Sequence, residues 1–502
     1  MRSSRLKLIR MIKKVLLVEP DFPYPTKSKN KANAIHKNFV PIGLLKLGSY
    51  YKSLSCRVRL VRGNKSKGEL GYFSPDLILV TSIFTYWSKH VWSAVAHYRT
   101  LFPESKILIG GIYATLHHDM NYFKDRLKQY SAECYVGLHP DAEKFYPDYS
   151  LLGSEIDHHV THAMRGCIRR CAFCGTWKIE PKRHDKTSEE LQEELKAIGK
   201  NKVIFFDNNY LANTNAKSIL ENLSNLKING KAVICESQSG FDGRLLEKSP
   251  DLATLLKKAR FQNIRIAWDN SFSDYLSIKK QINFLTSAGY KAKDISVFMV
   301  YNFDIPYEEM KRKLNYCKKL GVQITDCRYR PLDSIEDNYK PQRVSGQAES
   351  DYYIHSKAGW TNKKIRTFRK KVREHNIWIR YAKDKGLQYD VKMEKWSAIH
   401  NTFKFFKMGR PPKLEAIEKS PTWRKRLNMM NVVKNNCKRK NLDVLDFTGL
   451  TMEKIDEKLK QVVSVISKNG KGHRTVNRNT PIIPRAEGVR LRLWRGKDNY
   501  AD

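Results

Sequence analysis

Three cysteines, Cys167, Cys171 and Cys174, fall within eight residues of a chain that holds nine. Their spacing is Cys-x3-Cys-x2-Cys. Three thiolates on one short loop can converge on a single metal centre. Structural zinc usually takes four protein ligands, and no fourth cysteine arrives at zinc-finger spacing. His162 stands five residues before Cys167 and His184 ten after Cys174. Either is open to recruitment, and neither completes a known pattern. In a cubane iron–sulfur cluster, three cysteines leave the fourth iron free for a substrate or cofactor. The remaining cysteines (Cys56, Cys134, Cys235, Cys317, Cys327 and Cys437) are isolated and suggest no disulfide framework. That usage points to a reducing, cytoplasmic compartment.

The segments around this loop alternate. Val15–Val18 is a short apolar run closed by Glu19, Pro20 and Asp21. The basic opening before it imitates a signal peptide, but no small-residue cleavage site follows, so it reads as a buried strand. Helical spacing over 40–54 comes next, then strand patterns at 57–62 and 75–87, a helix at 91–103 and a strand at 105–117. Continuous apolar strands separated by helices predict a doubly wound parallel sheet over 1–150. Gly110–Gly111 closes its last long strand, either as a ligand-facing loop or as a tight turn. From 155 to 335 a second α/β series begins with the cysteines. An amphipathic helix at 187–199 follows, with Ser188 as the expected cap partnered by Glu190 or Gln192. At least five βα steps then predict an open or partial barrel. No stretch reaches 18 apolar residues, so no membrane span is expected.

The motif Cys167-x3-Cys171-x-Phe173-Cys174 resembles the cluster motif of the radical S-adenosylmethionine (radical SAM) enzymes, in spacing and in its aromatic. The βα steps over about 160–335 resemble that family's partial (β/α)6 barrel. The resemblance implies a 4Fe–4S cluster on the three cysteines, with S-adenosylmethionine chelating the fourth iron. It also implies reductive cleavage of a carbon–sulfur bond, hydrogen abstraction by a 5′-deoxyadenosyl radical, and an electron donor such as flavodoxin or ferredoxin. Upstream, "VLLVEPDFPY", "PIGLLKLGSYY" and "ILIGGIYAT" look like the cobalamin-binding-like domain fused to many members. Where some subclasses carry a histidine cobalt ligand, this chain has "EPDFPYPTKS" without one. Cobalamin stays open, but not through a histidine lower ligand.

The same resemblance suggests site residues. Phe173 packs near the cluster or the adenine, or simply within its loop. Asp207 and Asn208 stand where the family has a Gly-Gly-Glu-like motif for the methionyl amine, and here the chain reads Asp-Asn-Asn. An Asx-type turn is the other reading of that stretch. Gln238, Asp269 and Asn302 end later strands, where barrel active-site groups gather, and suit ribose or carboxylate contacts.

Charge bears on partners. The formal net charge is +42, and residues 351–502 hold 37 Lys and Arg against 15 Asp and Glu. This basic C-terminal region, taken as 336–502, reads as mainly helical, with the last ~35 residues extended or disordered. Arg366, Arg369, Lys370 and Arg373 are interleaved with aromatics and suit phosphate, so RNA or DNA is the first expected partner. Docking of an amphipathic helix explains the aromatics equally well. The expected function is a radical SAM enzyme that modifies a substrate, nucleic acid from charge, by hydrogen abstraction or methylation. The different-class alternative is a basic nucleic-acid-binding protein with a structural iron–sulfur cluster and no SAM chemistry.

Overall fold

The computed structural model describes residues 12–24, 39–339, 349–382, 390–412, 414–440 and 446–469. The expectation for the last ~35 residues lies outside them. The chain divides into two compact units, Met1–Val372 and Arg373–Tyr500.

The first unit opens with a five-stranded sheet. Its strands are β1 (Lys14–Glu19), β2 (Arg57–Arg62), β3 (Leu77–Ser82), β4 (Lys106–Gly111) and β5 (Ala132–Cys134). They lie in the order β2-β1-β3-β4-β5, all parallel. Successive strand side chains point to opposite faces. Val15, Leu17, Leu77 and Leu79 therefore pack on Leu44 and Tyr51 of the helix Ile42–Ser53. Leu16, Val18, Ile78 and Val80 pack on Val91, Val95 and Tyr98 of the helix Ser88–Leu101. Both faces are covered, which is why β1 and β3 read as unbroken apolar runs. The sheet is doubly wound, as the sequence predicts.

The double glycine has a steric reason. Ser82 pairs with Gly111 across the sheet. Gly111 has φ +97°, and a Cβ there would overlap the Ser82 carbonyl oxygen. The Ser82 hydroxyl donates to the Gly110 carbonyl (2.7 Å) and accepts from the Ala114 N–H (3.0 Å), turning the chain into the helix Ile112–His117.

Six parallel strands then build the partial barrel: His159–Thr161, Lys202–Phe205, Ile234–Ser237, Arg265–Ala267, Ser296–Tyr301 and Gln323–Arg328. The first three pair among themselves and so do the last three. The two groups meet at the parallel bridge between Phe241 and Ile266. The first and sixth strands stand at the free edges, so the barrel is open. The helix Ser188–Ile198 is capped by Thr187, not by Ser188. Its hydroxyl accepts from the Glu190 N–H, and the Glu190 carboxylate accepts from the Thr187 N–H. A capping box needs Glu or Gln three residues on, and three residues after Ser188 comes Leu191. Beyond the sixth strand, Tyr352, Trp360, Ile365 and Phe368 bury themselves in the barrel's own apolar core.

The described part of the second unit is helical, with helices Asp390–Phe405, Leu414–Lys419, Pro421–Lys440 and Met452–Asn469. It has its own core, in which Trp396, Phe403, Met430, Val433 and Leu459 are buried. The Phe406 and Phe447 rings stack there at 5.0 Å. No helix among the described residues is long and apolar enough to cross a membrane.

Gly111→Ala is expected to cost about 1–3 kcal/mol, because positive φ and backbone overlap act together. Gly110→Ala should be far milder, since its Cβ would find nothing nearer than 3.9 Å. Urea denaturation midpoints of the two variants test this.

Candidate active site

The cysteine loop grows from the end of the first barrel strand. Met164–Arg165 pairs antiparallel with His184–Asp185, which closes the segment at its base. All three thiols are free and partly exposed. The Arg169 N–H points at Cys167 Sγ (3.4 Å) and the Thr176 N–H at Cys174 Sγ (3.5 Å). The Cys174 N–H donates to the Cys171 carbonyl (3.0 Å) and tightens the turn between them. Burial pushes the Cys171 thiol pKa up, and Cys174, Asp269 and Cys167 add to that, while Arg244 opposes it. Neither histidine joins the thiols. His162 is buried with its Nε2 3.1 Å from Arg165 Nη1, and His184 belongs to the closing hairpin. Among the described residues, no three His, Cys, Asp or Glu side chains gather to hold a single metal ion.

Asp207 is wholly buried beneath this loop. Its carboxylate accepts from the Ala163 N–H (3.0 Å) and the Met164 N–H (2.5 Å). Burial pushes its pKa up to about 7, against those two N–H groups and against Lys186 and Arg165. Asn208 is exposed and bridges the loop. Its Nδ2 donates to Glu180 (3.0 Å), and its Oδ1 accepts from the Thr176 hydroxyl (3.1 Å). The Phe173 ring meets the Phe303 ring edge-on at 5.7 Å, just past the fifth strand.

The later strand ends divide. Gln238 follows the third strand, and its Oε1 is buried with no hydrogen-bond partner. Asp269 follows the fourth. Burial raises its pKa, while Lys313, the Val300 N–H and Arg244 lower it. Lys313 is buried and donates to the carbonyls of Trp268 (2.6 Å) and Asn270 (2.9 Å), on either side of Asp269. Asn302, buried at φ +59°, spends its amide on backbone: it donates to Tyr353 O (3.0 Å) and accepts from the His355 N–H (2.9 Å). Arg366 is half-buried over the Tyr339 ring at 5.2 Å. Arg369, Lys370 and Arg373 are exposed on the same helix, Asn362–Ile377.

Several residues here carry no local sequence signal. Arg169 of the cysteine loop pairs with Asp242 (3.0 Å), which Arg244 also binds (2.6 Å). Glu180 accepts from the Gly166 N–H (2.7 Å). The first pairing spans 73 residues, so no periodicity in the chain announces it.

The thiol loop sits at the mouth of six parallel strands, and comparison with known families decides what kind of domain this is. Residues 162–328 are a radical SAM superfamily domain. The match begins at His162 and ends at Arg328, the last residue of the sixth barrel strand. The radical SAM domain is a catalytic one, so the chain carries an enzyme domain whose reaction the match leaves open. No curated protein matches the chain. Among solved structures, Streptococcus suis SuiB bound to S-adenosylmethionine is similar over 50% of this chain, with 14% identity and a TM-score of 0.28. The chain covers 60% of that protein. The carboxyl transferase domain of Rhizobium etli pyruvate carboxylase with pyruvate is similar over 92% of this chain and 65% of its own length, with 11% identity and a TM-score of 0.20. At such scores neither likeness bears on fold or function.

Asp207 makes stability pH-dependent in a stated direction. Its folded pKa lies above its unfolded one, so its contribution is fully present below about pH 4 and is lost as pH rises through about 7. Asp207→Asn should remove that component of the stability–pH curve. It should also cost about 1–3 kcal/mol at acid pH, because one buried N–H loses its acceptor. Thermal melts of both proteins from pH 4 to 8 check this.

Proposed function

We propose that this is a radical SAM enzyme in which Cys167, Cys171 and Cys174 hold a 4Fe–4S cluster that binds S-adenosylmethionine. One observation carries the reading: a three-thiol loop, closed at its base, leaves the first strand of an open parallel barrel inside the matched domain. The donor set suits such a cluster. A cubane takes one thiolate per iron, so its ligands need not crowd around one ion, and N–H groups directed at sulfur are a usual means of tuning it. When bound and reduced, the cluster supplies the electron that breaks a carbon–sulfur bond of S-adenosylmethionine.

The chain's own residues take distinct parts. Gln238 and Asp269 are the groups we assign to hydroxyl or ammonium contacts with S-adenosylmethionine, because Oε1 of Gln238 is unpartnered and Asp269 lies within electrostatic reach of Cys171. Asp207 and Asn302 we assign to positioning, since their polar atoms are engaged with backbone. Asn208 reaches Cys174 through Thr176 and steadies the far side of the loop. Phe173 shields the loop against Phe303. An electron donor such as flavodoxin or ferredoxin is the natural reductant. Nucleic acid is the substrate class favoured by the charge of the C-terminal region, with Arg366, Arg369, Lys370 and Arg373 as contacts to phosphate.

We propose no step through cobalamin. The family match stops short of the first sheet. Beyond the C-terminal ends of β1 and β3, where this strand order would seat a ligand, aromatic rings gather. Phe22 stacks on Trp87 at 5.5 Å and Tyr24 on Phe39 at 4.5 Å.

Anaerobic reconstitution with dithionite and S-adenosylmethionine tests the reading. Wild-type protein should form 5′-deoxyadenosine, detected by mass spectrometry, and Cys171→Ala should fall to background. An intact cluster that never yields the product, across several reductants, would sink the enzymatic assignment.

A further inference from the structure

An ion relay runs from the first sheet domain into the cysteine loop. Lys46 lies on the helix Ile42–Ser53 and Glu143 in the turn Ala142–Lys144, both outside the barrel. Glu143 Oε2 accepts from Lys46 Nζ (3.0 Å) and from Arg165 Nη2 (2.8 Å). Arg165 Nη1 donates in turn to Glu180 Oε1 (2.9 Å). The other Glu180 oxygen accepts from the Gly166 N–H (2.7 Å) and from Asn208 Nδ2 (3.0 Å). Side-chain exposure along Lys46, Glu143, Arg165 and Glu180 is 9, 26, 17 and 8%.

Two cations alternate with two carboxylates, so the relay is neutral as a whole. Removing Glu143 would leave the buried Lys46 unpaired, and removing Arg165 would leave Glu180 without its cation. The end of the relay matters most. Gly166, directly before Cys167, has φ +75°, and a Cβ there would press to 3.0 Å on the Lys182 carbonyl oxygen. The backbone therefore turns where few residues could follow, and the Glu180 carboxylate fixes that turn through its N–H.

We propose that Lys46, Glu143, Arg165 and Glu180 are positioning residues for the cysteine loop, so that the first sheet domain is a working part of the thiol site. The proposal rests on the cluster reading for its functional meaning, but its geometry does not depend on a bound cluster. None of the four supplies a thiol ligand. They act by holding the backbone from Arg165 to Gly166, on which Cys167 follows.

The test uses the full-length chain. Glu143→Gln removes a charge outside the cysteine loop, and Lys46→Gln probes the same coupling from its outer end if the first variant fails to fold. Amide hydrogen exchange across residues 163–176 should quicken by about threefold or more in folded variants, as a loosened local unit would. Iron retention against a chelator should fall roughly tenfold, the usual scale for lost partners of metal ligands. Arg165→Lys keeps one charge contact and should lie between wild type and Arg165→Gln in both measurements, and in the electron paramagnetic resonance signal of the reduced protein. Wild-type exchange rates in a folded Glu143→Gln or Lys46→Gln protein overturn the proposal. A wild-type chain that takes up no iron, yet whose loop loosens in these variants, supports the relay and defeats the cluster reading instead.

Discussion

Two buried carboxylates hold the backbone on which the three cysteines stand. Asp207 takes the N–H groups of Ala163 and Met164, and Glu180 takes that of Gly166. Each of these amides donates to a side-chain carboxylate at the stem of the loop. A buried N–H without an acceptor is costly, and the two acids meet that demand at the stem of the loop. Their own burial would be unfavourable without these donors. Asp207 shows the tension, for its pKa stays raised despite two N–H bonds. Hydrogen bonds therefore tie loop stem, acids and barrel together just before the first thiol.

The rest of the first unit extends this arrangement outward. Parallel strands buried on both faces need helices on both sides, and those helices bring their own charges to the sheet ends. Lys46 reaches Glu143 because its helix covers one face of the first sheet. Lys313 reaches the Asp269 turn because its helix, Tyr307–Leu320, covers the barrel. Burial lowers the Lys313 pKa to about 8, although it donates to two carbonyls and lies near Asp269. In both cases apolar packing decides where a polar group ends up, and hydrogen bonding then decides what it holds.

The cysteine spacing, the doubly wound sheet, the βα series and the basic helical region were legible in the chain, because each is a local pattern of residue types. Val15–Val18 and Leu77–Val80 announce strands covered on both faces by being apolar without alternation. The helix cap was legible in kind but misread by one position, since Thr187 rather than Ser188 has a glutamate three residues on. Gln238, Asp269 and Asn302 do follow barrel strands, yet their orientation was not readable. Asn302 and Gln238 look alike in sequence, but Asn302 turns its amide onto the 353–355 backbone while Gln238 keeps an unpartnered oxygen.

The sequence by itself determined which atoms are offered: three thiols at fixed spacing, a glycine before the first of them, and carboxylates and arginines around them. Spacing along the chain fixes such features because they are separated by a few bonds. Only the tertiary structure decided which charges meet. Arg165 is 22 residues from Glu143, Arg169 is 73 from Asp242, and Lys46 is 97 from Glu143. Pairing at that range depends on how sheets and helices stack to bury apolar area, a property of the whole packed chain that no window of residues contains.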